Sequence, residues 1–171
     1  MIELERALTR FTANAEAIAA VVRGVTDEQA RWRPGPDDWS ILEVVNHLYD
    51  EEREDFRTRL DLTLHAPDAE WPPIDPTGWV LERSYNTRDP GQSLEDFLRE
   101  RHHSLDWLAR VELPNWSSTH HHPDFGAMTA EVVLGAWLAH DHLHLRQLNH
   151  LSWQLLARDV PSASLAYAGG W

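Results

Sequence analysis

Four stretches of the chain repeat apolar residues at the spacing of one helical face. Residues 2–23 set Leu4, Leu8, Phe11, Ala15, Ile18 and Val22 three or four apart, which lines them along one side of an α-helix. Residues 40–64 carry the arc Ile41, Val44, Val45, Leu48, Tyr49, Phe56 and Leu60. Residues 93–111 offer Leu94, Phe97, Leu98, Leu105 and Leu108. The longest stretch, residues 129–158, has no proline and a single glycine, Gly135. Its stripe is Val133, Trp137, His140, His144, Leu148, Leu151 and Leu155, so two histidines four residues apart stand where a core helix would place apolar side chains.

The punctuation agrees with the periodicity. Gly24 ends the first helix, and Thr26 to Gln29 can cap a short turn ending near Trp32. Pro34, Gly35 and Pro36 make a rigid loop. Ser40 and Glu43 form a capping box, with Trp39 ahead of it placed to staple onto Val44. The third helix is expected to begin at Ser93, and Thr129 caps the fourth. Residues 65–92 hold five prolines and two glycines, a connection long enough to cross the bundle and cover one end, with a short helix near residues 78–83. Residues 116–128 alternate poorly and carry no hairpin signature, so they read as a loop that leaves His120, His121 and His122 in solvent. The expected architecture is an all-α four-helix bundle with a long crossover between helices 2 and 3 and no strands. It is a single domain over residues 1–158, followed by a loosely packed tail at 159–171.

Composition narrows the chemistry. The 171 residues contain no cysteine, which excludes disulfides, thiolate-ligated zinc and a cysteine nucleophile. A metal would have to be held by His, Asp or Glu, and a thiol would have to come from outside. The net charge of −13 comes from 28 acidic against 15 basic residues. With no cationic cluster, nucleic acid is rejected as a partner. No apolar run is long enough for a membrane span, and the N-terminus lacks the basic start and apolar core of a signal peptide, so the cytoplasm is the expected location. Nine tryptophans suit core filling or the walls of a small-molecule pocket.

The candidate chemistry starts at His140 and His144. An i, i+4 pair aims two imidazoles the same way, so one metal ion can bridge them; the competing reading is a pair of buried histidines hydrogen-bonded inside the bundle. Three sequence pieces then carry a resemblance. They are the stretch Trp32-Arg33-Pro34-Gly35-Pro36-Asp37-Asp38-Trp39-Ser40-Ile41, the triplet Asn46-His47-Leu48, and the run His140-Asp141-His142-Leu143-His144-Leu145-Arg146-Gln147. Together and in this order they resemble the DinB-like (YfiT-like) metal-binding four-helix bundles over residues 2–158.

That resemblance implies three metal ligands, His47, His140 and His144, around a divalent ion: zinc or nickel first, iron or manganese behind them. Three neutral imidazoles with an open position are the pattern of a catalytic ion. Gln147 is placed to hydrogen-bond a ligand or a histidine Nδ1. Glu51, one turn beyond His47, is a candidate outer-shell acceptor or general base. Asp141 and His142 should lie off the ligand face, as outer-shell or surface groups. The pocket is expected at the end of the bundle, with Trp39, Trp137 or a crossover tryptophan as its walls. Similar families transfer low-molecular-weight thiols, so the resemblance implies a thiol-dependent S-transferase of the bacillithiol, mycothiol or glutathione type. The alternatives are a metal-dependent hydrolase and a non-enzymatic metal- or ligand-binding bundle. A homodimer on paired helices is the expected assembly.

Overall fold

A computed structural model describes residues 3–169. The first helix, α1, spans Leu4–Arg23. The short α2, Asp27–Arg31, opens with a complete capping box between Thr26 and Gln29. The next helix begins as α3, Ile41–Asp50, passes through a π-helical turn at Glu51–Phe56, and continues as α4, Arg57–His65. Its Ser40–Glu43 capping box is fully formed, and Arg33 forms an ion pair with the same Glu43 carboxylate. That pairing ties the proline loop to the helix start.

The crossover contains the short helix α5, Gly78–Glu82, and a 3₁₀ turn at Tyr85–Thr87. Both pack along α3, where an end cover was expected. Charge decides this placement: Arg83 pairs with Asp50 at 2.7 Å and with Glu54 at 2.8 Å, and the Tyr85 hydroxyl donates to Asp50. The next helix, α6, spans Pro90–Arg110, three residues earlier than expected at its start. Asp89 caps it by accepting from the Gln92 N–H, and Pro90 sits in its first turn, where a missing N–H costs nothing.

Two strands replace the expected loop. Strand β1, Thr119–His122, pairs antiparallel with β2, Gly126–Thr129. Gly126 has φ 71°, a left-handed turn conformation that glycine adopts without strain. The hairpin docks on α4 by a hydrogen bond from the Ser118 hydroxyl to the Thr63 carbonyl at 2.5 Å. His120 is buried against Trp71, with ring centroids 4.3 Å apart, and its Nδ1 meets the Pro67 carbonyl at 2.9 Å. The triplet therefore alternates in and out, as strand geometry requires, instead of lying wholly in solvent. Helix α7, Ala130–Asp159, is capped by Thr129 as expected, and the tail forms the short α8, Ser162–Ala168, with no buried residue.

The bundle consists of α1, α3–α4, α6 and α7. Both α1 and α3 pack against α6 and α7, so α3 and α7 are neighbours although the crossover, α6 and the hairpin separate them in sequence. Two apolar cores result. One gathers Ile18, Val44, Leu48, Phe97 and Leu151; the other gathers Phe11, Leu60, Leu108, Leu134 and Trp137. Between them, every helix contributes polar side chains at mid-length: Asn14, Glu51, Glu52, Arg101 and Asp141 are all buried there. Among the described residues, no helix is long and apolar enough to cross a membrane.

Candidate metal centre

The mid-bundle layer holds the three histidines. His47 is on the inner face of α3, and His140 and His144 are one turn apart on α7. The His140 Nε2 lies 3.2 Å from His47 Nε2 and 3.1 Å from His144 Nε2. One ring nitrogen from each of the three falls within 4.8 Å of the others. The pocket expected at a bundle end is thus replaced by a site between two cores, because His140 and His144 fall near the middle of α7 and His47 lies between the Val44 and Leu60 ends of its own helix, which belong to different cores.

Electrostatics keeps these rings neutral. Burial and the two neighbouring histidines drive the His47 pKa down to about 2, burial with His144 and the Arg101 charge brings that of His140 to about 3, and burial lowers that of His144. The tautomer of His144 follows from its partner. Its Nδ1–H donates to Gln147 Oε1 at 2.8 Å, leaving the Nε2 lone pair directed at the other two rings. His47 Nδ1 is buried with no hydrogen-bond partner among the described residues. Packing orients that ring instead: Trp39 meets its edge at 5.0 Å and lies parallel to His144 at 6.5 Å. Phe56 closes the other side, 4.9 Å from His140.

Converging neutral nitrogens fit a divalent ion. Two nitrogens bound to one zinc at about 2.0–2.1 Å would stand about 3.0–3.5 Å apart, which matches both measured separations. Without an ion, His140 Nε2 meets two imidazole nitrogens at once although it has one proton or one lone pair to offer them, an arrangement that costs free energy in a buried layer.

The other predicted residues fall in different places. Glu51 is buried beside Asp55 but lies outside the triad, and its Oε1 has no hydrogen-bond partner among the described residues. Burial and the Asp55 charge raise its pKa to about 8, so near neutrality it carries a proton. That suits a proton donor, whereas a general base was expected. Trp137 belongs to the core: its Nε1–H donates to Glu52 Oε2 at 3.1 Å and its ring packs on Phe11 and Phe56. His142 is exposed, whereas Asp141 is fully buried. Asp141 accepts two hydrogen bonds from Arg101 at 2.8 Å and one from the Asn14 amide at 3.0 Å. Arg101 also grips Glu52 through two bonds, at 2.7 and 2.8 Å.

Sequence reasoning missed this ionic network. Its signal is a gap in the third stripe, because Arg101 and Ser104 occupy helical core positions between Phe97 and Leu108.

The DinB superfamily model matches residues 10–148, a span that includes the whole triad. The chain belongs to the DinB superfamily. It is 30% identical over 134 residues to the putative metal-dependent hydrolase YfiT of Bacillus subtilis, covering 77% of this chain and 74% of that protein. A solved structure of YfiT from Bacillus subtilis, described as a probable metal-dependent hydrolase with an unusual four-helix bundle topology, superposes with a TM-score of 0.78. The superposition covers 91% of this chain and 90% of that one at 22% identity. At that identity it shows the fold: this DinB protein is a four-helix bundle with a small added hairpin.

Proposed function

We propose that this DinB protein is a metal-dependent hydrolase whose ion is held by His47, His140 and His144. The observation that carries the reading is the convergence of three neutral Nε2 atoms, two contacts of which measure 3.1 and 3.2 Å. Among the described residues no carboxylate joins that group, so a divalent ion would keep its full charge for substrate and water. When bound, such an ion supplies Lewis acidity, making water a nucleophile near neutral pH and polarising a carbonyl.

The chain's own residues do the rest. Gln147 fixes the His144 tautomer, Trp39 and Phe56 exclude solvent from two sides, and the Glu51–Asp55 pair stores one proton one turn from His47. A carboxyl with a pKa near 8 can deliver that proton to a leaving amine or alkoxide.

The name carried by the relative favours hydrolysis, so thiol transfer, first expected from the sequence, moves to second place. The test begins with protein purified without a tag and loaded with zinc, nickel or manganese. Each form is assayed on ester and amide panels and, separately, with glutathione, bacillithiol and mycothiol against an electrophile. Metal-dependent ester or amide turnover that disappears in His144→Ala supports the proposal. Thiol conjugation alone, lost in the same variant, would replace it with a transferase.

A further inference from the structure

Beside the triad, the hairpin roofs a hollow of about 380 Å³ bounded by Phe56, Trp71, Phe125, Met128 and Val133, with Asp55 and Arg59 at its edge. A second hollow, about 610 Å³, shares Arg59, Trp71 and Phe125 with it and extends under His120 to His122. These are ordinary volumes for a small-ligand site. Phe56 links the first hollow to the chemistry: one ring both walls the cavity and packs on His140. Phe125 stands at the hairpin tip and is 73% exposed. A large aromatic held in solvent at the rim of a cavity is a feature of ligand-binding surfaces.

Charge and hydrogen bonding define what would fit. Asp55 and Arg59 pair with each other at 2.7 Å, and Arg59 lies over the Trp71 ring at 4.9 Å. Both charges are therefore answered within the protein, leaving no counter-ion for a charged ligand. The rest of the lining is apolar: Phe56, Phe125, Met128 and Val133 offer carbon surface.

We propose that the hollow under the hairpin binds the uncharged aryl portion of an amide or ester substrate, packed between Phe56, Trp71 and Phe125. This rests on the hydrolase reading for its biological meaning, but binding itself is measurable without metal.

The experiment titrates metal-stripped full-length protein with phenylacetamide and with phenylacetate, followed by calorimetry and ligand-observed NMR. Saturable binding of the amide is expected, with the carboxylate at least about tenfold weaker because its charge finds no partner. Met128→Trp fills the cavity and should abolish binding. Phe125→Asp, at an exposed site that leaves folding intact, should weaken it as well. Absence of saturable binding to the wild type overturns the proposal, as does phenylacetate binding as tightly as the amide, or unchanged affinity in both Met128→Trp and Phe125→Asp. Failure of the loaded protein to hydrolyse any ester would sink the hydrolase reading while leaving these binding results in place.

Discussion

Two polar clusters share the middle layer of this bundle, and adjacent residues of α7, His140 and Asp141, belong one to each. In the ionic cluster Arg101 is 2% exposed, and its charge is answered by Glu52 and Asp141 with near-ideal hydrogen-bond lengths. Asn14, Trp137 and the Phe11 carbonyl satisfy further atoms of the same network. In the histidine cluster no ring is charged, one buried nitrogen has no partner among the described residues, and three ring nitrogens face a common point. The first cluster is complete within the protein; the second, on the reading proposed above, is completed by a metal ion. Burial alone therefore does not mark a functional group. What marks it is burial with bonding capacity left over and directed at one place.

The difference can be attacked from the complete side first. Arg101→Met should leave two carboxylates buried without a counter-charge and cost about 3–5 kcal/mol of stability, read from denaturant unfolding of the metal-free protein. A loss below 1 kcal/mol would mean that the network is not intact in solution.

On the incomplete side the balance reverses. His47→Ala, His140→Ala and His144→Ala should each strip bound divalent ion, measured by elemental analysis, while the metal-free forms stay folded by circular dichroism. A triple alanine variant that retains wild-type metal would place the ion elsewhere.

A subtler change separates ligand from support. Gln147→Leu should leave three ligands in place but free the His144 tautomer, weakening metal affinity by about 10–100-fold. Calorimetric titration with unchanged affinity would assign Gln147 no part in the site.

The smallest effects are in the pH dependence of the metal-free protein. The folded pKa values of His47 and His140 lie below the ordinary value of 6.5, at about 2 and about 3. The unfolded chain thus binds more protons, and stability is lost as pH falls from about 6.5 toward those values. Glu51 acts in the opposite direction. Its pKa rises from 4.5 to about 8, so its contribution is full below 4.5 and lost as pH climbs through about 8. Glu51→Gln should flatten the alkaline slope of thermal stability and leave the acid slope unchanged; an unaltered alkaline slope would remove the shared proton from Glu51.

Much of this was readable from neighbours in the chain. Helix spans follow from a three-to-four-residue period, and the caps at Thr26, Ser40 and Thr129 are decided by groups three residues away. The spacing of His140 and His144 on one face is likewise a property of a single helix. These interactions close within one helical turn, so a sequence determines them without reference to the rest of the fold. The π turn at Glu51–Phe56, the hairpin over Trp71, and the inward aim of His47 had no such local signature. The ionic cluster joins residues 40 and 49 positions apart, and His47 meets His140 across 93. An acidic run such as Glu51-Glu52-Arg53-Glu54-Asp55 reads as a solvated helix face until Arg101 from α6 and Arg83 from the crossover arrive to neutralise it. Only the packing of α6 and of the crossover against α3 and the π turn brings those partners within hydrogen-bonding range, because the pairing energy of a buried charge exists only once the whole layer is assembled.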